Sequence, residues 1–407
     1  MDTLISLFYF LRPILSFDTG HRVLGVDLAD LIIILMFAIL MFLSPLVGKL
    51  NQIKKLNTLD ISILAFAIWS LFISILYIDK SNIADVGKFI IPMITYLVMR
   101  RYIRNKQQYY NVVFLIILGF SIPVILSIIT ILDGSGLESV RSQTGYSRYQ
   151  GVYLNPHNFG HAMGVLLISI LVFLNLSYTW KDEVTTIFKQ KYKLSIVILV
   201  SLGATYCILH SHVRTVLLGL VVFLLVFAIK KGKKVFITFA SITFLSFLIT
   251  LPVLTVLFAD VISAVSEENI EKAGSGRPVI WKHNIIEFSR MTFDRQIAGA
   301  GIGNRVSLSN SGHGYKDRIW NSHNDFLEVL MQTGIVGFIL YIWILVNIFK
   351  EISKLDPKER VIFIPLIVAV IIMNLVSNSY VQRFSVGQIF FMLLAYVGSK
   401  ASTWQKK

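Results

Sequence analysis

Apolar residues run in long unbroken stretches along this chain, and polar positions are confined to short intervals between them. Leu31 to Leu46, Val112 to Leu132 and Val213 to Ile229 are examples. Each is close to the ~20 residues needed to cross a bilayer. The stretches are continuous and do not alternate, which predicts helices and not barrel strands. Stretches and breaks together predict about twelve spans at the usual helix length. They fall near 3–17, 28–48, 57–78, 86–99, 109–132, 153–178, 194–212, 213–229, 235–258, 334–349, 361–376 and 384–399. The first, fourth, tenth, eleventh and twelfth are short. The seventh and eighth are nearly continuous and break at His210-Ser211-His212-Val213-Arg214.

Composition agrees with this pattern. Hydrophobic residues fill 55% of the 407 positions and charged residues 15%, against about 25% charge in soluble domains. The expected class is an all-α polytopic membrane protein. The net charge of +15 would point to nucleic acid in a soluble protein, but here the cations sit in alternate short loops. Lys49, Lys54 and Lys55 form one group, then Arg100, Arg101, Arg104 and Lys106, then Lys181, Lys189, Lys191 and Lys193. Lys230 to Lys234, Lys350 to Arg360 and the Lys406-Lys407 tail continue the series. Basic loops mark the cytoplasmic side, so both termini are expected there, with an even number of spans and no nucleic-acid partner. Cys207 is the single cysteine, which excludes a disulfide within the chain. Leu4 to Leu15 has no small-residue cleavage site after it, so it is expected to stay as the first span.

Two outward segments are longer than turns: Asp133 to Val152, and the stretch from about Asp260 to Thr333, the one place with room for an extramembrane subdomain. Loops of that length usually have a role. The expected organisation is residues 1–258 with spans one to nine, 259–333 as an outward catalytic loop, and 334–407 with spans ten to twelve and the tail.

Candidate chemistry gathers on the outward side. Arg148 precedes the sixth span, and Asn155, His157 and Asn158 stand where that span begins, next to Pro156. Proline fits a first helical turn, and capping with interfacial anchoring is an alternative reading for His157 and Asn158. Arg214 lies in the break between spans seven and eight. An arginine near membrane depth costs about 2.5–3.5 kcal/mol on insertion scales, which makes function its default reading; snorkelling to the interface is the alternative. Arg277 follows Gly274 and Gly276 and precedes Pro278, a setting suited to an anion at a helix start. Gly299 to Gly303 (GAGIG) offers backbone that approaches a neighbour closely and fits neither a Rossmann nor a Walker pattern.

The densest polar group is Ser322-His323-Asn324-Asp325 with Glu328. Ser322 and Asp325 fit a capping box, which puts His323 at the first helical position. There the helix dipole disfavours imidazolium and favours a neutral base for a hydroxyl. Asp325 and Glu328 read as a cap and as partners for nearby arginines, Gly334 and Gly337 as sites of close helix packing. The histidines at 157, 161, 210 and 212 have no carboxylate or thiol to complete a metal spacing, so no metal or other cofactor is expected. Several arginines and one base beside lipid suit a lipid diphosphate whose sugar is displaced by a hydroxyl.

These pieces resemble the bacterial O-antigen ligase and polymerase superfamily: RYQGVYLNPHN (Arg148 to Asn158), HVRTVL (His212 to Leu217), Ser275-Gly276-Arg277 with Trp281, the Gly299 to Gly303 glycines, and Ser322-His323-Asn324 with Gly334 and Gly337. The resemblance implies a GT-C-like glycosyltransferase of the cell inner membrane, active on its periplasmic face without metal and with inversion at the anomeric carbon. It implies an undecaprenyl-diphosphate-linked oligosaccharide as donor. Arg214 and Arg277 would hold the diphosphate, His323 would activate the acceptor, and Arg148 matches a further arginine, with Asn324, Asp325, Asn155 and His157 in support. His212 departs from the small polar residue common ahead of the second-motif arginine. The GAGIG and Ser-His-Asn segments look closer to polymerases, which join lipid-linked repeats and work with a chain-length regulator, than to ligases, which use lipid A core. A flippase or transporter would instead show inverted repeats, and none is legible.

Overall fold

The computed structural model describes residues 2–16, 56–77, 83–103, 105–140, 147–180, 190–237, 277–303, 322–378 and 383–403, with scattered positions between 22 and 38 and at 241. Its helices are α1 (Asp2–Ile14), α2 (Thr58–Leu76), α3 (Ile83–Tyr102), α4 (Lys106–Leu132), α5 (Pro156–Thr179), α6 (Gln190–Ser211) and α7 (Arg214–Lys231). They continue as α8 (Arg277–Arg290), α9 (Phe293–Ala298), α10 (Asp325–Ser353), α11 (Pro357–Val376) and α12 (Phe384–Thr403). Two short antiparallel pairs, β1 (Arg22–Val23) with β2 (Val26–Asp27) and β3 (Leu137–Val140) with β4 (Ser147–Tyr149), are the strands among the described residues.

Among the described residues six helices are long and apolar enough to cross a membrane: Thr58–Leu76, Lys106–Leu132, Pro156–Thr179, Tyr192–Ser211, Asp325–Ser353 and Pro357–Val376. The molecule is thus an α-helical polytopic membrane protein. Ile68, Ile75, Leu132, Leu199, Leu202 and Ile339 stand exposed on the outer helix faces, as side chains bathed in lipid do. The expected spans near 28–48 and 235–258 extend outside the described residues. Elsewhere some bounds move. The first span ends at Ile14 and not at 17, and the tenth begins at Asp325 and not at Gly334.

Sequence neighbours and distant elements share the packing. α11 lies along α7, α12 along α3, α1 along α4, and α10 along α2. α5 packs against α4, α6 and α7. That last contact is very close: a Cβ at Gly160 would come within 2.6 Å of Val213 Cβ and one at Gly164 within 2.5 Å of Val216 Cγ1. Gly160 and Gly164 form a small-xxx-small pair that lets two backbones approach. The break between α6 and α7, with its arginine, is thereby seated against the helix that begins at Pro156.

α10 is a helix with one interruption. Gly334 takes φ 67° and ψ −171°, a backbone that side chains other than hydrogen rarely adopt. The interruption diverts carbonyls of the preceding turn from the helical pattern. Met331 O accepts from Ala300 N at 2.9 Å and Gln332 O from Gly301 N at 3.1 Å, while Trp69 Nε1 of α2 donates to Thr333 O at 2.9 Å. Gly299, at φ 86°, lies so close that a methyl there would strike the Gln332 carbonyl. The GAGIG glycines therefore approach the backbone of α10. Gly334 is a break and Gly337 a packing site, where a methyl would meet Thr333 and Trp69.

Candidate active site

The turn ahead of α10 is built from the sequence upward. Asn324 is the N-cap: its Oδ1 accepts from Phe326 N at 2.9 Å and Leu327 N at 3.1 Å. Asparagine is a strong cap because its short amide reaches these orphan donors. Ser322 is therefore not the cap, which corrects the capping-box expectation, and His323 lies outside the helix and not at its first position. It takes φ 48°, a left-handed backbone uncommon for a residue with a side chain. The turn is held from several sides. Trp281 Nε1 of α8 donates to Ser322 O at 2.8 Å, and Asn284 Nδ2 to Ser322 Oγ at 2.9 Å. Ser322 N donates to Glu328 Oε2 at 2.9 Å. Gln332 Nε2 donates to Glu328 Oε1, and Gln332 Oε1 accepts from Gly303 N at 3.1 Å. Glu328 thus braces this turn by hydrogen bonds to a backbone amide and a side-chain amide.

The last turn of α11 faces the same place. Leu375 O accepts from Asn324 Nδ2 at 2.9 Å, Val376 O accepts from Arg277, and Ser377 Oγ lies 3.2 Å from His161 Nε2. Carbonyls at a helix C-terminus are unpaired within the helix and carry partial negative charge. One helix end therefore positions both the cap beside His323 and the guanidinium of Arg277. Asp325 is fully buried. The Asn374 amide, in the orientation that satisfies its neighbours, donates to Asp325 Oδ2 at 3.0 Å and accepts from the Tyr341 hydroxyl.

His157 stands in the first turn of α5, whose N-cap is Asn155, with Asn155 Oδ1 accepting from Asn158 N at 2.8 Å. The rings of His157 and His323 lie 6.2 Å apart. Arg148, on β4, comes within 3.1 Å of His157 Nε2, donates to Ser211 O at 3.3 Å, and lies 3.8 Å from Glu138 Oε2. A guanidinium has no acceptor, so His157 Nε2 accepts and its proton sits on Nδ1. That Nδ1 is buried with no hydrogen-bond partner, as are the Nδ1 atoms of His161 and His323. Buried nitrogens without partners are rare in finished protein cores and mark a place where another molecule completes the bonding.

Burial pushes the His323 imidazole down to about 4, and the positive charges of Arg277 and Arg383 add to the shift. Arg277 is itself lowered by burial and then by the nearby charge of Arg214. The imidazole is therefore neutral at neutral pH. The cause is desolvation and neighbouring guanidinium groups, and not the helix dipole on which the sequence argument relied. Arg214, Arg277, His323, His157 and Arg148 thus form one continuous neighbourhood, while Asn155 enters it only as a cap.

Residues 196–342 match the family model described as O-antigen ligase. Over this segment the chain is similar to that family. No curated protein matches the chain. The matched segment takes in Arg214, Arg277, His323 and both sides of the α10 break. Arg148, His157 and Arg383 lie outside it.

Arg383 is the site residue that sequence reading missed. It directly precedes α12, and a guanidinium nitrogen donates to Asn158 Oδ1. The available signal was the charge rule itself: Arg383 falls in a short loop of the set expected to face outward, where the alternating pattern leaves cations scarce. The Ser275-Gly276 part of the Arg277 motif, together with Trp320 and Asn321, lies outside the described residues.

Proposed function

We propose that the protein is a surface-polysaccharide polymerase that takes a glycan from undecaprenyl diphosphate and transfers it to a sugar hydroxyl of another lipid-linked repeat unit. The observation that carries this reading is a neutral, buried imidazole at His323 beside the charges of Arg277 and Arg383, with the charge of Arg214 close to Arg277. The imidazole takes the acceptor's hydroxyl proton as the oxygen bonds to the anomeric carbon. The bond from that carbon to the diphosphate oxygen breaks, and the guanidinium groups take up the charge that leaves with the lipid diphosphate. Arg148 holds the hairpin, α5 and the end of α6 together and keeps His157 facing the site. The chemistry is assigned to the periplasmic face of the inner membrane, opposite the basic loops, in a GT-C-like arrangement of about twelve spans.

A ligase that transfers the same glycan to lipid A core is the second reading, favoured by the description of the matching family model. Purified protein, a lipid-diphosphate repeat unit and lipid A core separate the two. Elongation of the repeat without core supports the polymerase, and glycan found only on core supports the ligase. No transfer in either mixture overturns both.

A further inference from the structure

We infer that Arg383 is a third guanidinium of the donor diphosphate subsite, oriented by Asn158 and standing next to Arg277; this rests on the transferase reading above. Three observations carry it. The first is the bonding of the side chain. One guanidinium nitrogen donates to Asn158 Oδ1, while Nε is buried with no hydrogen-bond partner. Asn158 belongs to the first turn of α5, one residue beyond His157. The contact therefore aims Arg383 at the His157–His323 pair and leaves donor capacity unused there.

The second is the arrangement of charge. Arg383 lies within the electrostatic reach of Arg277, and Arg277 within that of Arg214. Asp325 is the carboxylate that opposes this repulsion at Arg383. Burial and Arg277 still hold the Arg383 guanidinium down at about 10. Guanidinium groups brought together away from water are costly unless an anion joins them. A diphosphate ester carries two phosphate charges in a row, and a run of three guanidinium groups matches it by forked hydrogen bonds.

The third is location. Arg383 sits between α11 and α12, the last of the seven residues that separate them. The Nδ1 atoms of His157, His161 and His323 are likewise buried and without partners. A strap that served the fold alone would have no reason to collect unsatisfied donors around it.

The test uses purified full-length protein in lipid nanodiscs, inorganic pyrophosphate as the anion probe, and the lipid-linked repeat unit as donor. R383Q is expected to weaken pyrophosphate binding about tenfold or more and to raise the donor KM in parallel, with kcat changed less. R383K keeps the charge and loses the fork, so its affinity should fall in between. His323→Ala should abolish turnover, and its pyrophosphate titration is read separately from R383Q. Pyrophosphate affinity within twofold of wild type in R383Q overturns the inference, as does a wild-type protein that takes no pyrophosphate. Where R383Q does not fold, R383K decides by the same criterion. Undiminished turnover in His323→Ala would sink the transferase mechanism instead, and the pyrophosphate titration would still judge Arg383.

Discussion

A single imidazole sets the pH behaviour of this site. His323 is lowered to about 4 by burial and by the guanidinium groups of Arg277 and Arg383. A general base works only when unprotonated, so the free protein should be competent at any pH well above that value. The expected kcat/KM profile is flat from neutrality down to about pH 5 and falls about tenfold per unit below about pH 4. The anionic donor attracts the imidazolium, so the acid limb of kcat should lie at higher pH than that of kcat/KM. An acid limb of kcat/KM near 6.5 would mean that His323 is exposed or is not the base. Replacing His323 with glutamine should remove about two to four orders of magnitude in rate while the protein still inserts and melts as wild type does.

Part of this neighbourhood was legible in the sequence, and the remainder was not, for physical reasons. An arginine or histidine beside an apolar run is costly, so Arg214, Arg277 and His323 drew notice at once. Arg383 did not, because one cation among Tyr380, Val381, Gln382 and Phe384 reads equally well as an interfacial anchor. Its partner Asn158 is far away in the chain, and nothing local announces the contact. Ser322 and Asp325 have capping-box spacing, which would use the Asp325 amide, whereas Asn324 starts the helix two residues later through the Phe326 and Leu327 amides.

Elements carry the second level of control, above all the interruption in α10. The hydrophobic pattern runs through Gly334 on both sides, so periodicity gave no sign that the backbone turns there. Glycine at φ 67° allows the turn, and the turn releases Met331 O and Gln332 O to the GAGIG backbone. That docking fixes α9 and the Gly303 amide, which bonds Gln332 and through it Glu328 and Ser322. Gly334→Ala places a methyl against the Ile297 carbonyl and forces alanine into a left-handed backbone, worth more than about 1 kcal/mol by the backbone term alone. The expected result is a lower melting midpoint together with lost glycan transfer. Gly337→Ala, where the neighbour is the Thr333 side chain and not a carbonyl, should be milder. Equal melting of Gly334→Ala and wild type would show that the interruption is dispensable.

At the scale of the molecule the two ends of the helix bundle are built by opposite rules. The end that carries the basic loops pairs its charges. Asp60 accepts from Asn57 N at 2.7 Å inside a capping box and forms a buried ion pair with Arg100. Arg100 Nε also donates to Gly398 O at 2.9 Å. Glu359 accepts from Tyr396 at 2.9 Å and Trp180 at 3.3 Å, with Lys106 at 3.8 Å, and Lys354 pairs with Glu351 at 2.7 Å. The other end gathers Arg148, Arg277 and Arg383 near His157, His161 and His323, whose Nδ1 atoms have no hydrogen-bond partner. The paired charges tie α2, α3 and α12 together, and the clustered guanidinium groups of the other end suit an anion.

Removing one partner at the paired end strands a buried charge, which costs about 3–5 kcal/mol, whereas replacing both with apolar groups is often close to neutral. Asp60→Ala should therefore lower the melting midpoint and the amount of folded protein. Combining Asp60→Leu with Arg100→Met should restore most of both, short of full recovery because Gly398 O loses its donor. Transfer by the double variant should follow the folded fraction, since neither residue reaches the site. A double variant as unstable as Asp60→Ala would show that the specific ion pair, and not the avoidance of an unpaired charge, holds this end closed.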